Sequence, residues 1–119
     1  MPNAFGAPEI SVHEVSQKLN EAGDFILMDV RELWETSLAR IKDERVLLVP
    51  MSELAHEGTN ALPKEAQDRQ AEIIVVCHHG VRSAEVTAWL ASQGWENVRS
   101  MAGGLEAFAV EVDPSIGRY

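Results

Sequence analysis

One residue in this chain has the chemistry of a strong nucleophile, and the six residues after it are of types that would sharpen it. Cys77 is the only cysteine among 119 residues and opens the run Cys77-His78-His79-Gly80-Val81-Arg82-Ser83. A lone cysteine is ordinarily a small buried hydrophobe, and without a second thiol an internal disulfide or dithiol couple is excluded. The neighbours argue for more. An apolar strand pattern leads into Cys77 and a helical pattern starts at Ser83, so His78 to Arg82 must connect the two. So short a connection has to curl, and Gly80 supplies a backbone conformation barred to other residues. Curling turns backbone N–H groups inward as an anion-binding nest, to which a helix N-terminus adds partial positive charge. Arg82 adds a full charge and a planar fork suited to oxyanions. Such a setting favours the thiolate, the form that attacks, and would cradle a negatively charged persulfide equally well. Ser83 reads both as a helix cap and as a hydrogen-bond donor to the sulfur.

His78 and His79 invite a metal or Cys–His reading, but adjacent side chains do not generally converge on one tetrahedral ion. His13 and His56 stand at no metal-ligand spacing. No metal and no cofactor are expected, and His78 and His79 are assigned to lining the pocket.

The bulk numbers bound the rest. The length suits one compact domain over 1–119 with a sizeable core. A composition 45% hydrophobic and 24% charged is that of an ordinary globular protein. The net charge of −9, with no stripe of Lys and Arg, makes nucleic acid and anionic membrane poor partners. A small anionic substrate would have to be held by a local positive site against the global field. The longest apolar run, 73–77, is far short of the roughly 20 residues of a membrane span. The first residues have neither a basic start nor an apolar stretch, so no secretory signal is expected and the location is expected to be cytoplasmic.

The elements that must position Cys77 alternate between strand and helix. Ser11 with Glu14 is a capping-box signature; Val12, Val15 and Leu19 follow at helical spacing, and Gly23 stops them. Strands are predicted over 25–28, ending at Asp29, over 46–49, stopped by Pro50, over 72–77 and over 97–101. A helix-prone stretch covers 32–38. Ser52 caps a short helix through His56, and Pro63 opens another to about Arg69. A helix from Ser83 repeats Val86, Trp89 and Leu90 before Gly94, and a last one spans 105–110 after the turn Ala102-Gly103-Gly104. Trp34, Trp89 and Trp95, each beside apolar residues, are assigned to core or half-buried positions. The alternation predicts an α/β sheet covered by helices on both faces, with ligands beyond the carboxyl ends of the strands. Cys77 ends the strongest strand.

With these residues in view, the sequence resembles the rhodanese-like (sulfurtransferase) domain family along nearly its whole length. The matching stretches are Leu27-Met28-Asp29-Val30-Arg31-Glu32, the loop from Cys77 to Ser83, and Met101-Ala102-Gly103-Gly104-Leu105-Glu106-Ala107-Phe108, where many members have tryptophan for Phe108. The resemblance implies a three-layer fold with a parallel sheet of about five strands. It makes Cys77 the sulfur carrier and the loop amides with Arg82 the anion site. Asp29 and Arg31 match the first family motif and are read as a bracing polar pair. One stretch departs: where members carry a His-Ile-Pro-Gly-Ala-like segment, this chain reads Ala39-Arg40-Ile41-Lys42-Asp43-Glu44-Arg45. That loop is expected to be rebuilt.

Three functions compete. In the first, a sulfurtransferase, Cys77 takes sulfane sulfur from a donor such as thiosulfate and passes it to cyanide, a thiol or a protein. The second is a small phosphatase or arsenate reductase using the same Cys–Arg cradle. The family resemblance weighs against it: Cys77 through Arg82 is six residues, the length in sulfur-transferring rhodaneses, and related phosphatases have one more. The third is a non-catalytic sulfur-carrying or partner-docking module, against which stands the retention of both Cys77 and Arg82.

Overall fold

The structure is a computed structural model and describes residues 3–119. Five parallel strands form one sheet: β1 (Glu9–Ile10), β2 (Ile26–Asp29), β3 (Val46–Leu48), β4 (Ile73–Val76) and β5 (Val98–Met101), in the order β1-β5-β4-β2-β3. The helices α1 (Val12–Leu19), α2 (Met51–Glu57), α3 (Val81–Ser92) and α4 (Gly104–Glu111) lie between them in sequence. The expected three-layer α/β fold is therefore present.

Residues of β4 alternate strictly between two cores. Ile73 and Val75 pack with Met28, Leu54, Val86, Leu90 and Trp95, beneath α2 and α3. Ile74 and Val76 pack with Leu27, Val12, Val15, Leu105 and Phe108, beneath α1 and α4. All four are essentially inaccessible, which explains why the strand is apolar without a polar alternation. β4 lies between β2 and β5, with Val75 opposite both Met28 and Ser100. The site is thus built on the most constrained strand, and Trp95 is locked beside it by an indole N–H donated to the Ala66 carbonyl at 2.9 Å.

Several expectations are corrected. The stretch over 32–38 is a 3₁₀ turn, Leu33–Ser37, not an α-helix. The Thr36 and Ser37 hydroxyls donate to the carbonyls of Leu33 and Trp34 at 2.7 and 3.0 Å, taking acceptors that α-helical amides would use. The segment after Pro63 is likewise 3₁₀, Lys64–Gln67. Helix α2 starts at Met51, and Ser52 is spent on a hydroxyl bond to Glu32 Oε1 at 2.8 Å rather than on a cap. Trp34 is 67% exposed, whereas Trp95 is buried and Trp89 half-buried. Strand β1 was not predicted; two residues carry no period, and it exists because Glu9 and Ile10 pair with Ser100 and Met101.

The rebuilt segment has its own anchor. Arg45 is clasped by Asp43 at 2.8 and 2.9 Å, and its Nη atoms donate to the carbonyls of Leu19, Glu21 and Gly23 at 3.0, 3.1 and 3.3 Å. It closes the C-terminal end of α1, where carbonyls lack helical partners, and ties that end to β3.

Candidate active site

Cys77 stands one residue past the end of β4, and the chain turns directly into α3. The helix begins at Val81, two residues before the predicted start at Ser83, and Gly80 is its N-cap with φ 94°. Ser83 is therefore inside the first turn, not at the cap. This shift has a chemical result, because the Ser83 N–H is one of the free amides of the helix start. It donates to Cys77 Sγ at 3.3 Å, the Gly80 N–H does so at 3.1 Å, and Ser83 Oγ lies 3.4 Å from the sulfur. Ser83 Oγ is in turn 2.8 Å from Ser100 Oγ on β5, both residues being fully buried. The sulfur thus has two amide donors, and the Ser83 hydroxyl, which accepts from the thiol here, can turn to donate to a negative charge.

The loop is seated on α4. The N–H groups of Leu105 and Glu106 donate to the carbonyls of Cys77 and His78 at 2.9 and 3.0 Å. Contact is so close that a Cβ on Gly104, whose φ is 65°, would stand 2.4 Å from the His78 oxygen. The Gly103-Gly104 pair is thus the floor against which the cysteine loop is moulded.

Arg82 does not project free into the nest. Its Nη1 and Nη2 each lie 2.8 Å from a different oxygen of Glu35. Glu35 is 4% exposed, and its Oε2 also accepts the Glu32 N–H at 2.8 Å while Oε1 accepts the Tyr119 hydroxyl at 2.9 Å. The Arg82 guanidinium is the main reason its carboxyl is pulled down to about 2, and Glu35 in return raises Arg82 further above its ordinary value. Both ends of the pair are charged at any physiological pH.

Arg31 is wholly buried. It makes a fork to Asp29 (Nε–Oδ1 2.9 Å, Nη2–Oδ2 2.7 Å), and its Nη1 donates to the Glu35 carbonyl at 3.2 Å and to the Tyr119 hydroxyl at 3.1 Å. The Tyr119 ring stacks on His78 with centroids 3.7 Å apart and planes at 11°. The His79 ring is tilted at 32° to that of His78, with centroids 3.9 Å apart. Burial, with His79 second, lowers the pKa of His78, so its imidazole is neutral at pH 7. Val81 points outward, 64% exposed.

The residues picked from sequence thus converge at one end of the sheet, in two groups. Cys77, Gly80, Ser83 and their amides surround the sulfur; Asp29, Arg31 and Arg82 form an ion-pair network beside it, with His78 against Tyr119. Sequence reasoning missed Glu35, Ser100 and Tyr119. A loop arginine in a chain with 19 acidic residues against 10 basic signals an acidic partner, but nothing in the sequence says which one. Among the described residues, no group of three or more His, Cys, Asp and Glu is placed to hold a metal, and no helix is long and apolar enough to cross a membrane.

Fold and site define a parallel α/β domain that presents one hydrogen-bonded thiol at the carboxyl end of its central strand. The rhodanese-like domain model matches residues 11–111, and the chain belongs to that family. It is 31% identical over 101 residues to a sulfurtransferase of Allochromatium vinosum, spanning 85% of this chain and 87% of that one. It is 31% identical over 114 residues to a chloroplastic rhodanese-like/PpiC domain-containing protein of Arabidopsis thaliana, covering 93% of this chain but only 37% of the relative's length. A crystal structure of a rhodanese-related protein from Thermoplasma volcanium superposes with a TM-score of 0.70 at 26% identity, over 88% of this chain and 93% of that one. The family therefore includes proteins of sulfur transfer.

Proposed function

We propose that this chain is a single rhodanese-like domain that moves sulfane sulfur through a persulfide on Cys77. The Cys77 thiolate attacks the outer sulfur of a donor. A Cys77 S–S bond forms, the donor's own S–S bond breaks, and the leaving group departs with the electron pair: sulfite from a thiosulfate-like anion, a thiolate from a persulfide. A thiophilic acceptor (cyanide, a thiol or a protein thiol) then attacks the outer sulfur, and Cys77 leaves as the thiolate again, giving ping-pong kinetics. The observation that carries this reading is the convergence of the Gly80 and Ser83 amides and the Ser83 hydroxyl on one buried sulfur. These donors stabilise a thiolate and a persulfide alike. His78, His79 and Val81 line the approach, and Asp29 with Arg31 brace it. Leu33 and Trp34, 70% and 67% exposed beside Glu35, suit a thiol-bearing protein as acceptor.

The test is intact mass after incubation with thiosulfate and with an organic persulfide. A gain of one sulfur atom, lost on treatment with cyanide and absent from Cys77→Ala, is expected. No gain from any sulfane donor overturns the proposal and leaves a non-catalytic module.

A further inference from the structure

The proposed reaction requires a donor, and the charge distribution around Cys77 selects among donors. Thiosulfate carries two negative charges and releases a dianionic sulfite; an uncommitted cation beside the amides would strengthen its binding over that of a singly charged donor. The site holds two arginines, and both are committed. Arg31 is inaccessible and forked onto Asp29, its remaining nitrogen on the Glu35 carbonyl and the Tyr119 hydroxyl. Arg82 presents both terminal nitrogens to Glu35. Two cations against two carboxylates leave a balanced site before the thiol is counted. His78 adds no charge at neutral pH, since burial and then His79 depress it; His79 is exposed. Arg118 is occupied by Glu106.

Glu35 is not a carboxylate that swings aside. Its oxygens accept four hydrogen bonds, from Arg82 twice, the Glu32 amide and the Tyr119 hydroxyl. Withdrawing Arg82 would strand a buried carboxylate, which is strongly unfavourable. What remains for the incoming group is a set of backbone amides and the start of α3, able to hold the single negative charge on a sulfur.

From this balance we infer that Glu35 is a specificity-determining residue: by occupying Arg82 it tunes the site to a low-charge sulfane donor, a persulfide carried on a thiol, and against dianionic donors such as thiosulfate. In this step Cys77 S⁻ attacks the outer sulfur of R–S–SH, the donor's S–S bond breaks, and R–S⁻ leaves with that electron pair to take up a proton. The products are Cys77–S–SH and a thiol, with no net oxidation. The inference rests on the persulfide reading above and deepens it.

The experiment compares cysteine persulfide with thiosulfate as donors to the full chain, reading sulfur loading of Cys77 by mass. In the unsubstituted protein, loading by cysteine persulfide is expected to saturate with donor concentration, while loading by thiosulfate rises without saturating through the millimolar range. Glu35→Gln leaves Arg82 without a countercharge, and the efficiency with thiosulfate is expected to rise at least ten-fold, with cysteine persulfide changed less than about three-fold. Adding Arg82→Gln to that variant returns thiosulfate to the original level. Saturable thiosulfate use by the unsubstituted protein, tighter than that of cysteine persulfide, overturns the inference whether or not the variants fold. So does a Glu35→Gln variant that loses thiosulfate activity, which makes Glu35 a residue that aims Arg82 at the anion. Loading by neither donor overturns the sulfur-transfer reading itself.

Discussion

The ion pair between Glu35 and Arg82 has a measurable signature in stability. Its carboxyl titrates at about 2 in the folded chain against 4.5 ordinarily, chiefly because of the Arg82 fork. A depressed folded-state value means that the unfolded chain binds the proton first as pH falls. The stabilisation is therefore complete above about pH 5 and is lost as pH drops toward the folded value. A shift of that size corresponds to about 3 kcal/mol at pH 7, at 1.4 kcal/mol per tenfold in proton affinity. Between pH 5 and pH 3 the unsubstituted protein should lose about 2 kcal/mol through this one group. Eighteen other carboxylates titrate in the same range (19 in all), so the informative quantity is the difference from Glu35→Gln. Urea unfolding of both proteins at pH 7, 5, 4 and 3 supplies it. The two stability curves should converge by about 2 kcal/mol on going from pH 5 to pH 3, with the variant the flatter. Parallel curves would refute the buried, doubly bonded pair and with it the reasoning on donor charge.

Two further substitutions probe the seating of the sulfur. Gly104→Ala places a Cβ 2.4 Å from the His78 oxygen at a φ of 65°; the backbone conformation alone costs about 1–2 kcal/mol, and the overlap must push the loop off α4. A loss of about 3 kcal/mol in urea unfolding is expected, with slower sulfur loading, and an unchanged loading rate would show that the seat does not shape the nest. Ser100→Ala removes the hydroxyl 2.8 Å from Ser83 Oγ, which leaves Ser83 free to rotate away from Cys77. It should cost about 1 kcal/mol of stability and slow persulfide formation several-fold, and loading at the original rate would remove Ser100 from the site.

What the sequence reveals here, and what it withholds, follows from the range of the interactions. The cysteine loop is legible because its message is local: a strand, five residues and a helix leave the backbone few ways to turn, and Gly80 marks where it does. β4 is legible because burial on both faces removes every polar residue from it. Glu35 is not, since a glutamate in a short 3₁₀ turn looks like any solvent-facing carboxylate until Arg82, 47 positions later, is brought against it. Tyr119 and Ser100 are hidden for the same reason, each defined by partners far along the chain. The helix starts two residues before the point the sequence marks, because Ser83 has the character of a cap while Gly80, whose left-handed φ makes it the true one, has that of a loop residue. The 39–45 departure stands out in the sequence, but Arg45 as a helix closure does not, because a side chain reaching the carbonyls of Leu19, Glu21 and Gly23 leaves no pattern there.

The seating of the cysteine loop on Gly104 and Leu105 also sets when, during synthesis, the thiol acquires its surroundings. Proteins are made from the N-terminus onward, so Cys77 is added before Ser100 and the two glycines. β1 cannot join the sheet until β5 arrives, since Glu9 and Ile10 pair with Ser100 and Met101. Such distant pairings form late. From its addition until Ser100 and the two glycines follow, Cys77 therefore lacks part of its surroundings. Only when residues 98–108 have been added does the nest close around the sulfur, so incomplete chains lack the device that would load them.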